Sequence, residues 1–75
     1  MNLDEIKSIV AEILNISPSE VEADSRFIED LGADSLDVFQ IITELEDRLG
    51  VQIPENVLEE ISTVEDALVA INDAI

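Results

Sequence analysis

The stretch "LGADSLD", residues 31–37, sets one serine between two aspartates just after a glycine. Ser35 carries the hydroxyl a nucleophile would use, but a serine nucleophile needs an adjacent base, commonly histidine and sometimes lysine. The chain has no histidine, and its only lysine is Lys7. Paired carboxylates can do acid–base work, yet nineteen acids at helix-surface spacing read as solvated faces. A 75-residue chain also has little room for an ordinary substrate cleft. Calcium is no better served: aligning Gly32 with the glycine of an EF-hand loop puts Phe27 and Leu31 where oxygen ligands must stand. Catalysis and a dedicated metal site are therefore not expected. Two roles remain for the serine. Asp34 or Ser35 can cap a helix start. A hydroxyl on such a turn can also be modified by another protein, since a phosphoryl group there would meet free amides and the positive end of a helix dipole.

The elements that must hold this turn follow from hydrophobic spacing. Ile6, Ile9, Val10, Ile13 and Leu14 recur along one face of a first helix, which fades near Asn15. Ser17, Pro18 and Glu20 fit a capping box with proline at the first position of a short helical turn. Residues 15–33 form a long connection, with Ile16, Val21, Phe27, Ile28 and Leu31 as its expected anchors in the core. A second helix runs from Asp34 or Ser35 to Leu49 and stops at Gly50. At about 100° per residue, Val38, Ile42, Leu45 and Leu49 share one side of it, and Asp37, Gln40, Glu44 and Asp47 another. Leu36 and Ile41 border the acidic side. "VQIPENVLEEI" predicts an extended lead-in, a helix start near Pro54 and about two turns ending near Ile61. A capping box from Ser62 to Glu65 opens the last helix, whose apolar face is Val64, Ala67, Leu68, Ile71 and Ile75. No alternating strand pattern stands out. The expected fold is all-α: a small four-helix bundle of three main helices and one short one, with a long loop between the first two.

Composition narrows the partners. The net charge of −16 repels nucleic acid and anionic membranes and favours basic protein surfaces. No apolar run nears the ~20 residues of a membrane span, and no secretory leader is evident, so a cytoplasmic monomer is expected. Cysteine is absent, which removes disulfides and thiolate sites.

Residues 30–55, "DLGADSLDVFQIITELEDRLGVQIPE", closely resemble the acyl carrier proteins of fatty-acid and polyketide synthesis, and the similarity extends over residues 1–75 as one carrier domain. The resemblance implies a 4′-phosphopantetheine arm, derived from coenzyme A, on Ser35. It implies a phosphopantetheinyl transferase that attaches the arm. Its thiol would hold acyl groups as thioesters, which supplies thiol chemistry to a chain without cysteine. Acyl-transferring, synthase, reductase and dehydratase enzymes would dock basic patches on the second helix, at Asp34, Leu36, Asp37, Gln40, Ile41, Glu44 and Asp47. The implied role is a non-catalytic shuttle of fatty-acid biosynthesis. Carriers of the same fold serving polyketide, aminoacyl or specialised lipid pathways are the alternative, and an acidic helical adaptor without a prosthetic group is another. Gln40, Thr43, Arg48 and Phe39 depart from the common pattern of the family, where glutamate stands at the first position and a smaller aliphatic residue at the last.

So many carboxylates on so small a domain repel one another. Salt or divalent cations are expected to raise the melting temperature; thermal denaturation that is flat from low to moderate salt would contradict this.

Overall fold

The computed structural model describes residues 1–75. Helix α1 spans Leu3–Leu14, α2 Ser35–Leu49, α3 Glu55–Leu58 and α4 Val64–Asp73, with a 3₁₀ turn at Pro18–Glu20. The all-α expectation holds, with three main helices and one short one. Helix α1 packs on α2 and α4, and α2 also meets α4. Their inward faces supply Ile6, Ile9, Val10, Ile41, Ile42, Leu45, Val64, Ala67 and Ile71 to one core.

Local chemistry sets the helix limits. Asn2 caps α1 in a reciprocal box with Glu5, and Asn15 ends it in the left-handed conformation, at φ 57°. Ser17 and Glu20 form the predicted box over the 3₁₀ turn. Gly50 closes α2 at φ 66°, a region where a side chain is strained.

The connection between α1 and α2 is pinned by backbone as well as by side chains. Phe27 N–H donates to the Ser62 carbonyl at 3.0 Å, Val64 N–H to Ser25 at 3.0 Å, and Glu65 N–H to Ala23 at 2.9 Å. Arg26 and Thr63 thereby form an isolated antiparallel bridge. Val21 and Phe27 are buried as expected, while Ile16 and Leu31 are only half-buried. Ile28 is a correction: it is 53% exposed, because it lies in a tight turn that Asp30 N–H closes onto the Arg26 carbonyl at 3.0 Å, and there Phe27 takes the inward direction.

The bridge also explains two shifted boundaries. Helix α3 has one turn where two were expected, since the chain must be extended by Ser62 to meet Phe27. The box at α4 is Thr63 with Asp66, one residue beyond the expected Ser62 and Glu65: the bonds of the Ser62 carbonyl and the Val64 N–H to the connection hold the chain extended through Thr63, which becomes the residue before the helix. Asp66 Oδ2 accepts from both Ser62 N–H, at 3.0 Å, and Thr63 N–H, at 3.1 Å. Ile75 lies past the end of α4 and is 71% exposed, so it does not extend the apolar face.

The Ser62 and Thr63 amides hold the Asp66 carboxyl below the ordinary aspartate value. A depressed folded-state pKa contributes stability above the unfolded value and loses it as pH falls through the folded one. Asp66→Ala should cost about 1 kcal/mol at neutral pH. In denaturant titrations, that deficit against wild type should shrink as pH drops below the aspartate range.

Candidate functional site

The site begins at the turn before α2. Gly32 takes φ 72°. Ala33 is buried and donates its N–H to the Phe27 carbonyl at 2.9 Å, which fixes where the chain emerges from the core. Asp34 is the cap. Its Oδ1 accepts from Asp37 N–H at 2.9 Å, and Asp37 Oδ2 accepts from Asp34 N–H at 3.2 Å. This reciprocal box settles the division of labour between Asp34 and Ser35. Ser35 is the first residue of the helix and exposed, and its hydroxyl has no capping duty. No hydrogen bond joins that hydroxyl to a basic side chain, so nothing in this structure activates it as a nucleophile.

Beside it opens a cavity of about 660 Å³ between the long connection, α2 and the α3 segment. Ser35, Ile28 and Phe39 stand on its rim, together with Glu29, Glu55 and Glu59. Val38, Leu58 and Ile61 are half-buried walls. Phe27, Ile42 and Ile53 form an apolar floor. The floor's edge is tied to α2, because Ile53 N–H donates to Glu46 Oε2 at 2.6 Å. Near the rim, Arg26 pairs with Glu29 and Asp30, each at 3.3 Å. The Arg26 backbone N–H and then its guanidinium hold the Asp30 carboxyl below the ordinary value, and Asp30 in turn raises Arg26.

The expected docking residues divide. Leu36 is 78% exposed, and Gln40 and Asp47 are exposed as well. Asp34 and Asp37 are on the surface, with their carboxylates engaged in the cap. Glu44 is half-buried and bonded to Arg48 Nε at 3.0 Å, so its charge is met within the helix. Ile41 is a correction: it is fully buried. Helix α2 packs against both α1 and α4, so its buried stripe is wider than the Val38–Leu49 line and takes in Ile41 at one edge. Sequence reasoning missed Phe39 and Ile28 as exposed apolar residues of this surface. The helical wheel did carry a signal for Phe39, which lies outside the Val38, Ile42, Leu45, Leu49 stripe.

An exposed, uncapped serine at a helix start, beside an apolar cavity, fits a phosphopantetheine-bearing carrier. The family model for the phosphopantetheine attachment site matches residues 4–70. The chain belongs to the acyl carrier proteins of that family. It is 51% identical over 65 residues to an acyl carrier protein of Sulfurovum sp. (strain NBC37-1), covering 87% of each chain. It is 48% identical over 65 residues to one from Wolinella succinogenes, covering 87% of this chain and 86% of that one. A solved structure described as an acyl carrier protein of Mycobacterium tuberculosis superposes with a TM-score of 0.87 at 32% identity, over 99% of this chain and 100% of that one. Acyl carrier proteins are non-catalytic, and phosphopantetheine is their prosthetic group. No helix of the carrier is long and apolar enough to cross a membrane.

The two neighbours at this carrier's helix start should behave oppositely. Asp34→Ala removes a cap and should cost about 1 kcal/mol in chemical denaturation, whereas Ser35→Ala should stay within about 0.5 kcal/mol of wild type. Equal losses would mean that the serine shares the cap.

Proposed function

We propose that residues 1–75 act as one carrier domain and that Ser35 bears the phosphopantetheine arm. The observation that carries this reading is the Ser35 hydroxyl itself: exposed, free of the cap, and set on the rim of an apolar cavity. Attachment joins Ser35 Oγ to the phosphorus of coenzyme A that carries pantetheine. The phosphoanhydride bond breaks, the nucleotide leaves, and the serine proton passes to a base of the transferase. This chain's own part is to present the hydroxyl on a fixed helix end and to offer that end's positive dipole to the phosphodiester. When bound, the arm supplies a thiol for thioester chemistry, which no residue of this chain can provide.

The proposed service is the shuttling of acyl intermediates between enzymes of fatty-acid biosynthesis in the cytoplasm. Asp34, Leu36, Asp37, Gln40, Glu44 and Asp47 form the docking face for basic partner surfaces. Negative charge speeds encounter and fixes orientation, and Leu36 adds apolar contact. A saturated acyl chain enters the cavity toward Phe27, Ile42 and Ile53, where transfer of methylenes from water is favourable by about 0.8 kcal/mol each.

Intact mass before and after incubation with coenzyme A and a broad-specificity phosphopantetheinyl transferase tests the tether. Wild type should gain one phosphopantetheinyl group and Ser35→Ala none; folded, unmodified wild type that gains no mass refutes the assignment. Loading an octanoyl chain should then raise the melting temperature and shift the amide resonances of the cavity floor. Values unmoved by loading would leave the cavity as plain core.

A further inference from the structure

Glu46 stands apart from the other acids of this chain. Every other bond from a backbone amide to a carboxylate spans three or four residues and closes a local cap or turn. The bond from Ile53 N–H to Glu46 Oε2 spans seven, is partly buried, and is the shortest of the set at 2.6 Å. The Glu46 carbonyl also receives the Gly50 N–H and, at 3.1 Å, the Val51 N–H. One residue thus collects three amides of the connection that leads from α2 to α3. Arg26 and Arg48 are paired elsewhere, so the partner of this carboxylate is the amide.

What the bond holds is a wall of the cavity. Residues 54–61 supply Leu58 and Ile61 to its side and Glu55 and Glu59 to its rim. Helix α3 within that span is a single turn with no side-chain cap, too short to fix its own position. The span is tied at both ends. Beyond Ile61 the tie is the bond from Phe27 N–H to the Ser62 carbonyl. Before Pro54 it is the Glu46 side chain, which seats Ile53 in the floor at 6% exposed. Charge works against this second tie. Glu55 and Glu59 have no cation and share the rim with Glu29, so repulsion among them favours a wider mouth. The first tie is backbone to backbone, whereas the second depends on which side chain stands at position 46.

We propose that Glu46 is a positioning residue for the cargo: its carboxylate latches Ile53 and so sets how long an acyl chain the cavity holds. Glu46 does not line the cavity and acts through Ile53. The proposal rests on the reading of the cavity as the place of the acyl chain. A chain too short to reach Ile53 is indifferent to the latch, and one that packs on Ile53 depends on it.

Butyryl, octanoyl and decanoyl forms of wild type, Glu46→Ala and Glu46→Gln, made by the transferase from the matching acyl-coenzyme A, test this. In the unloaded proteins, hydrogen exchange of the Ile53 amide reads the latch itself. Glu46→Ala should speed that exchange at least about tenfold. Glu46→Gln, whose side-chain oxygen still accepts, should recover part of the protection. In thermal denaturation, the rise in melting temperature on loading should fall by about half in Glu46→Ala for octanoyl and decanoyl chains. For butyryl it should match wild type. A glutamate that only supports the fold would lower every form alike and leave these increments unchanged, which overturns the proposal. So does an Ile53 amide indifferent to position 46. Glu46→Asp, one methylene short of the amide, replaces a Glu46→Ala protein that does not fold: it should show the same losses, and a wild-type profile overturns the proposal. Wild type whose melting temperature ignores every chain fails the cavity reading and this proposal together. A wild type that responds, with Glu46→Ala responding alike, fails the proposal alone.

Discussion

Most of this fold depends on how Phe27 is held. The residue lies in the middle of a long connection that has no regular helix beyond one 3₁₀ turn. Its ring is buried, its N–H is given to Ser62 and its carbonyl takes the Ala33 N–H. One residue thus ties the connection to the α3–α4 junction and to the start of α2. A loop so fixed loses conformational entropy once, and the burial of one large aromatic offsets a few kcal/mol of that loss. Without it, the cavity would keep only Ile42 and Ile53 as its floor, and the turn at Ser35 would lose its tie to the connection.

The acids on this chain serve the fold as well as its surface. Glu5, Glu20, Asp37 and Asp66 each occupy the third position of a capping box. Every helical start except that of α3 is closed by a carboxylate that satisfies orphan amides and sits at the positive end of a dipole. A domain this small has limited burial to draw on, and four such caps contribute on the scale of its whole margin. The cost is mutual repulsion. The same groups that begin the helices make the chain hard to pack against itself or another copy.

Much of this is legible from residue types alone. Periodicity locates α1, α2 and α4, Gly50 marks the end of α2, and Ser17 with Glu20 marks the 3₁₀ turn. The serine between two aspartates points to the site by its company, since nothing nearby could make it a nucleophile. Local patterns mislead where a long-range contact overrides them. Ser62 has the look of a cap, but its carbonyl is bonded to Phe27, and α3 is cut short by the same contact. Ile41 has the look of a surface residue because a wheel cannot show how many neighbours a helix has. The exposure of Ile28 is hidden for a related reason: one chain's pattern says which residues are apolar, but not whether each of them is covered.

Phe27 has two addresses. Its ring bounds the cavity, and its backbone anchors the turn that leads through Ala33 to Asp34 and Ser35. Anything that entered the cavity would meet the residue that positions the helix end outside it. The interior and the exterior of this carrier are therefore mechanically joined across a single side chain. A displaced ring would be felt at the surface as a re-aimed serine, so that a filled and an empty carrier need not look alike to a visitor that touches only the outside.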